Sequence, residues 1–244
     1  MTAKLSKTQI DRLGDRLREG SPSESDLRLL DDYRLTFGEA YETVVGTIRE
    51  RLQLEPTGRP AKSTRSVIEK LVRETIRLSQ VQDIAGCRLL VDDVMEQERV
   101  VASLRAAFPR ASVVDRRVNP SYGYRAVHVI ARISGKSIEI QVRSSLQHVW
   151  AELSEQVSDL AEPAIKYGGG PDTIRQALAN MATMVAVLES VENDAARIQT
   201  RDVDGRQHQR LQEFREQIIR MKKELAESCS DAISWLEQNR SYQQ

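Results

Sequence analysis

Four groups of residues in this chain have types and spacings suited to chemistry. The first is basic and follows a turn: Gly58-Arg59-Pro60-Ala61-Lys62-Ser63, with Arg65 and Lys70 beyond it. Lys62, Ser66 and Lys70 recur every fourth residue, which puts them on one face of a helix. Cations that converge at a helix start can hold a polyphosphate. The same spacing also suits a solvated helical face. The second group is Asp83-Ile84-Ala85-Gly86-Cys87-Arg88-Leu89-Leu90-Val91, an acid and a glycine leading into an apolar strand that carries one arginine. A charge inside such a run needs a partner or an exposed edge. An Arg88–Asp83 ion pair is one way to supply it.

The third group surrounds a loop, from Asp115-Arg116-Arg117 through Asn119-Pro120-Ser121 to Tyr122-Gly123-Tyr124-Arg125-Ala126-Val127-His128. Tyrosine rings can stack on a base and arginines can grip phosphates. The plainer reading has both tyrosines covering the edge of the core. The fourth is Glu139-Ile140-Gln141-Val142-Arg143. Strand alternation places Glu139, Gln141 and Arg143 on one face, either in solvent or as a catalytic floor. Glu139 and Asp83 together are a hard-oxygen pair of the kind that holds Mg²⁺ alongside phosphate and water.

The elements that carry these groups follow from periodicity. Residues 4–19 read as a short amphipathic helix ending at Gly20, and 27–54 and 63–79 as further helices separated by a Pro- and Gly-rich break at 55–60. Cys87–Val91, Ser112–Val118, Ala126–Ser134 and Lys136–Arg143 are short and β-branched, with a helix over Val94–Phe108 between the first two. Turn residues Ser134-Gly135 predict that the last two strands form a hairpin. A helix is expected over 145–160. After the linker Lys166-Tyr167-Gly168-Gly169-Gly170-Pro171, two long apolar periodicities over 171–200 and 206–240 predict an antiparallel helical hairpin. It is expected either to pack on its own core or to assemble a homo-oligomer. The domain reading is an N-terminal helix over 1–24, a central domain over 25–165 and a helical extension over 171–244.

Composition narrows the rest. The 244 residues hold 36 Lys plus Arg against 36 Asp plus Glu, so net charge gives no general pull toward nucleic acid or membrane. Two distant cysteines, Cys87 and Cys229, give neither a disulfide framework nor a zinc spacing. The N-terminus has no signal-peptide core and no stretch approaches a membrane span, so the expected location is the cytoplasm.

In sequence order, Arg59-x-x-Lys62-Ser63, Asp83-Ile84-Ala85-Gly86-Cys87-Arg88, Gly123-Tyr124-Arg125-Ala126-Val127-His128 and Glu139-Ile140-Gln141-Val142-Arg143 resemble the signature blocks of the RelA/SpoT-type alarmone synthetase domain. The resemblance runs over about residues 25–160. It implies an α/β (α+β), nucleotidyltransferase-like fold, a mixed sheet of about five strands flanked by helices. It also implies a reaction, Mg²⁺-dependent transfer of the β,γ-pyrophosphoryl group of ATP to the ribose 3′-hydroxyl of GDP or GTP. By the same resemblance Asp83 and Glu139 are metal carboxylates, and Glu139 also draws the proton from the hydroxyl. Arg59 and Arg88 stack on adenine; Lys62, Lys70 and His128 hold phosphates, with Ser63 beside them. Tyr124 stacks on the acceptor base, Arg116, Arg117 and Arg125 surround it, and Gln141 and Arg143 complete the floor.

The sequence departs from that pattern in three places. Arg59 and Lys62 stand one residue further apart than in the family. The loop Pro120-Ser121-Tyr122 has no lysine, a contact that Arg116 and Arg117 can replace. The His-Asp pair of the family's hydrolase domain is absent. The chain therefore resembles a single-domain small synthetase. Two alternatives follow from the same residues: a toxic small synthetase that modifies the tRNA 3′ end or makes (p)ppApp, with an antitoxin protein as partner, and a catalytically inactive nucleotide-sensing module.

Overall fold

The computed structural model describes residues 5–199 and 205–239; of residues 59, 196–199, 205–208, 211, 235–237 and 239 it describes the backbone alone. The chain forms two compact units, one from residues 1–89, 100–114 and 128–141, the other from 90–99, 115–127 and 142–244. Five strands form a mixed sheet in the order β1-β2-β5-β4-β3: β1 (Thr57–Arg59), β2 (Ala85–Val91), β3 (Ser112–Asp115), β4 (Val127–Ile133) and β5 (Lys136–Ser144). The α+β class and sheet expected from the sequence are those observed.

In the first unit, α1 (Lys7–Arg18) begins at a capping box, where the Ser6 hydroxyl accepts from the Gln9 amide. Its last residue, Arg18, donates Nε to the Leu71 carbonyl at 2.9 Å and Nη2 to the Ile76 carbonyl at 2.6 Å. A cation thereby satisfies orphan carbonyls around the end of α4 (Thr64–Arg73). The stretch 27–54, expected as one helix, is instead α2 (Glu24–Leu35), α3 (Gly38–Thr47) and a π turn over Ile48–Leu52. Thr36 and Phe37 break it while the apolar period carries on across the break, with Tyr33 and Phe37 meeting edge to face at 5.2 Å. The helix expected over 63–79 stops at Arg73, followed by a short 3₁₀ turn at Leu78–Gln80.

Strand β1 lies in the segment that the sequence marks as a break. Its three residues pair antiparallel with β2, Thr57 opposite Arg88 and Arg59 opposite Gly86. Strands β4 and β5 join through Ser134 and Gly135, both at positive φ (49° and 79°), the backbone of a type I′ hairpin turn. On β5 the apolar residues Ile138, Ile140 and Val142 are fully buried, and Glu139 and Gln141 alternate with them.

The second unit holds part of helix α5 (Val94–Ala107), all of α6 (Ser145–Leu160), and α7 (Asp172–Gln199) and α8 (Gly205–Asn239), which pack on one another as the expected C-terminal hairpin. The residues joining α7 to α8 lie outside the described residues. Leu146, Trp150, Leu178, Val185, Leu188 and Cys229 form the core of these helices. Among the described residues no helix is long and apolar enough to cross a membrane.

Candidate active site

The first unit contains a cavity of about 210 Å³ lined by Thr57, Gly58, Asp83, Gly86, Cys87, Arg88, Glu139 and Gln141. All four residue groups singled out in the sequence contribute to it or to the charges around it, the third through His128 alone. The approach of β2 and β5 depends on Gly86, where a Cβ would stand 2.5 Å from the Glu139 carbonyl oxygen. Only glycine lets the two strands carry their polar side chains into one cavity at that separation.

Asp83 is the electrostatic centre. Its Oδ2 accepts from Lys62 Nζ at 2.7 Å and its Oδ1 from Lys70 Nζ at 2.9 Å. All three side chains are largely buried, at 11% exposure for Lys62, 20% for Lys70 and 13% for Asp83. Burial pushes the Asp83 carboxyl up, but the two ammonium groups and their hydrogen bonds outweigh it and hold it well below the usual carboxylate range. Local structure explains the convergence. Ser63 is the N-cap of α4, accepting from the Ser66 amide, so Lys62 precedes the helix and Lys70 rides two turns into it. The Lys62 amide also donates to the Ile84 carbonyl at 2.7 Å. The two lysines therefore meet on Asp83 and do not simply share a helical face. Lysines, and not Arg88, are the Asp83 partners.

Glu139 stands across the cavity. His128 Nδ1 lies 3.1 Å from its Oε1, and Gln141 Nε2 donates to Oε2 at 2.7 Å. Burial raises this carboxyl and the nearby Asp83 charge raises it further. The His128 hydrogen bond and charge, helped by Gln141, bring it below its ordinary value. Glu139 is thus held ionised in a buried position, with its histidine and glutamine acting as orienting donors. Cys87 lines the same cavity, and burial together with the Glu139 charge pushes its thiol up to about 12.

The fit of this site to Mg²⁺ rests on its donor set. Two ionised carboxylates line one cavity, and Mg²⁺ is typically held by one or two carboxylates while phosphate and water oxygens complete its shell. Among the described residues no cluster of three or more His, Cys, Asp or Glu forms a metal cage. The residues suit a metal that arrives with a polyphosphate. The Arg59 side chain lies outside the described residues.

Tyr124, Arg116, Arg117, Arg125 and Arg143 belong to the second unit. Ser121 to Tyr124 form a two-residue hairpin turn with Tyr122 and Gly123 both at positive φ (55° and 89°), the Tyr124 amide donating to the Ser121 carbonyl at 3.0 Å. The Tyr124 ring lies under the Arg143 guanidinium, 5.1 Å from its centroid, and the Tyr124 hydroxyl accepts from Arg143 Nη2 at 3.2 Å. Arg117 is folded onto Asp115, Nη2 to Oδ2 at 2.7 Å; burial pushes that carboxyl up, but the hydrogen bonds from Arg117, with its charge, hold it below its ordinary value. Arg125 turns to Glu189 on α7, Nε to Oε2 at 3.3 Å. The Arg116 amide closes the loop on the Ala126 carbonyl at 2.9 Å. The sequence reading missed Glu189. Its signal was a carboxylate in register with Leu178, Ala182 and Val185, at the alternating four- and three-residue steps of a buried stripe.

The fold is that of a small alarmone synthetase. The crystal structure of small alarmone synthetase 1 from Bacillus subtilis, bound to its product pppGpp, superposes with a TM-score of 0.52 at 22% identity over 73% of this chain and 100% of that one. Residues 58–158 match the model for the region found in RelA/SpoT proteins, and an uncharacterized protein of Mycobacterium tuberculosis is 30% identical over 201 residues, 78% of this chain and 73% of that protein. The chain belongs to the RelA/SpoT family. A chloroplastic protein of Arabidopsis thaliana, named a probable GTP diphosphokinase, is 30% identical over 96 residues, 37% of this chain and 13% of that protein.

Proposed function

We propose that the chain is an alarmone synthetase, moving the β,γ-pyrophosphoryl group of ATP to the ribose 3′-hydroxyl of GDP or GTP. The observation that carries this reading is the single cavity lined by Asp83 and Glu139, with Lys62 and Lys70 gathered on Asp83. Family membership and the relative named a probable GTP diphosphokinase support the same chemistry.

In the reaction the 3′-oxygen bonds to the β-phosphorus, the bond from that phosphorus to the α,β-bridging oxygen breaks, and AMP leaves with the bridging oxygen. Such transfers need little covalent chemistry from the protein; positioning and charge neutralisation carry them. Glu139, ionised and fixed by His128 and Gln141, accepts the hydroxyl proton. Lys62 and Lys70 present ammonium groups to the polyphosphate. Arg88 takes the adenine. Tyr124 takes the acceptor base and Arg116 its phosphates. Asp83 and Glu139 would hold Mg²⁺, which supplies Lewis-acid neutralisation of the transferred phosphates.

The test is incubation of the protein with γ-labelled ATP, Mg²⁺ and GDP, GTP, ATP or bulk tRNA in turn. Label on a guanosine product with stoichiometric AMP is the expected result. Label on tRNA or on an adenosine product moves the acceptor to the alternative branch. Absence of AMP with every acceptor refutes the enzymatic reading.

A further inference from the structure

Glu189 is 3% exposed, on a helix where no sequence motif falls. A carboxylate on a buried stripe is costly unless donors meet its lone pairs. Here three donors do. Ser144 Oγ donates to Oε1 at 2.6 Å, Gln147 Nε2 donates to the same oxygen at 2.8 Å, and Arg125 Nε donates to Oε2 at 3.3 Å. The bonds continue outward. Arg125 Nη1 donates to the Arg117 carbonyl at 3.0 Å, and Arg117 Nη1 to Gln97 Oε1 at 3.2 Å. Gln97 Nε2 then returns to the Gln147 side chain at 2.8 Å. The network closes as a ring inside the second unit. It links α5, α7, the head of α6 and the segment 115–126.

Helix packing alone does not call for this arrangement, because an apolar side chain would fill a buried stripe as well as or better than a charge. What the charge adds is direction. It draws Arg125 inward, and Arg125 in turn holds the Arg117 carbonyl at the other end of the loop. Tyr124, next to Arg125, lies under Arg143. The loop that carries the acceptor residues is closed at its base by a carboxylate from the C-terminal hairpin.

We propose that Glu189 is a positioning residue for the acceptor loop, ordering residues 115–126 through Arg125 so that Tyr124 is presented for stacking. This rests on the pyrophosphate-transfer reading above. It gives the C-terminal hairpin a part in acceptor binding, and it assigns Arg125 to loop order and not to a phosphate.

Two measurements on the full chain and the isosteric variant Glu189→Gln test it. The first is amide hydrogen exchange, which needs no activity. The amides of 116–126 should exchange about tenfold faster or more in the variant, as expected for loss of a charge-assisted hydrogen bond, while those of α6, α7 and β5 stay at wild-type rates. The second is kinetic. The acceptor KM should rise about tenfold with affinity for a non-hydrolysable ATP analogue unchanged.

Loop exchange at the wild-type rate would overturn the proposal. So would faster exchange spread through α6 and α7, or equal losses for acceptor and ATP analogue, because each marks a purely structural role. If Glu189→Gln fails to fold, Arg125→Met replaces it, and the same pattern of loop-confined exchange decides. If the wild type transfers to no acceptor, the enzymatic reading falls. Loop-confined exchange would then still show that Glu189 holds the loop, and the acceptor role alone would be overturned.

Discussion

Replacing Asp83 by asparagine removes one charge and leaves two buried ammonium groups facing a neutral amide. The lysines are 11% and 20% exposed, so neither reaches bulk water without moving. Breaking a buried pair by deleting one partner costs about 3–5 kcal/mol; partial access for Lys70 puts the figure near the lower end, about 3 kcal/mol. For a chain of this size that lowers Tm by about 6–12 °C. The sign with pH is fixed. The folded-state pKa lies below the ordinary value of 3.8, so Asp83 contributes its full stabilisation above that value and loses it as pH falls through the folded pKa. The gap between wild type and Asp83→Asn, read by circular dichroism during urea unfolding, should be constant from pH 8 to about 5 and should shrink in more acidic solution. Adding Lys62→Met to the variant should recover about half the loss, because one uncompensated ammonium group remains. A polyphosphate should also raise the Tm of Asp83→Asn more than that of wild type, since it restores the missing negative charge. If Asp83→Asn is within about 0.5 kcal/mol of wild type at pH 7, or if the gap widens on acidification, the cluster is not the electrostatic centre argued above.

Glu139→Gln should keep the fold and lower pyrophosphate transfer at least about a hundredfold, since in the proposed reaction Glu139 is both proton acceptor and metal carboxylate; near-normal turnover in the labelled-ATP assay would remove the assignment. Gly86→Ala puts a methyl group 2.5 Å from the Glu139 carbonyl oxygen, and should cost about 1–3 kcal/mol in chemical unfolding while lowering activity with it. Tyr124→Ala should weaken the acceptor by about 1–3 kcal/mol of lost stacking while leaving ATP-analogue affinity intact, measured by separate titrations of the two. Cys87, its thiol pushed up to about 12, should react with a maleimide at pH 8 only after unfolding, as followed by mass spectrometry.

The elements with a clean period were legible in the sequence. The helices over Val94–Ala107 and Ser145–Leu160 and the Ser134-Gly135 hairpin turn lie within a residue of where pattern and turn chemistry put them. Strand β1 was not legible, because three residues in a Pro- and Gly-rich segment become a strand only by pairing with β2 at a distance in sequence. The single helix expected over 27–54 failed for the opposite reason: the apolar spacing runs on while the backbone breaks at Thr36 and Phe37. The convergence of Lys62 and Lys70 on Asp83 was likewise out of reach of spacing, since it depends on where α4 starts relative to β2. Motif order singles these residues out as candidates without saying which of them touch. Glu189 is the reverse case. Its buried register was visible, but stripes of that kind are read for their apolar members and the one charged member was passed over.

The chain passes between its two compact units five times. Asp83 and its lysines are translated early, while Glu139 follows 56 positions later. At a synthesis rate of about 5–20 residues per second that is a delay of about 3–11 s. Lys62, Lys70 and Asp83 are therefore all translated well before β5, which carries Glu139. During synthesis the three charges of the cluster are thus present in the chain before the Glu139 carboxylate with which Asp83 shares a cavity.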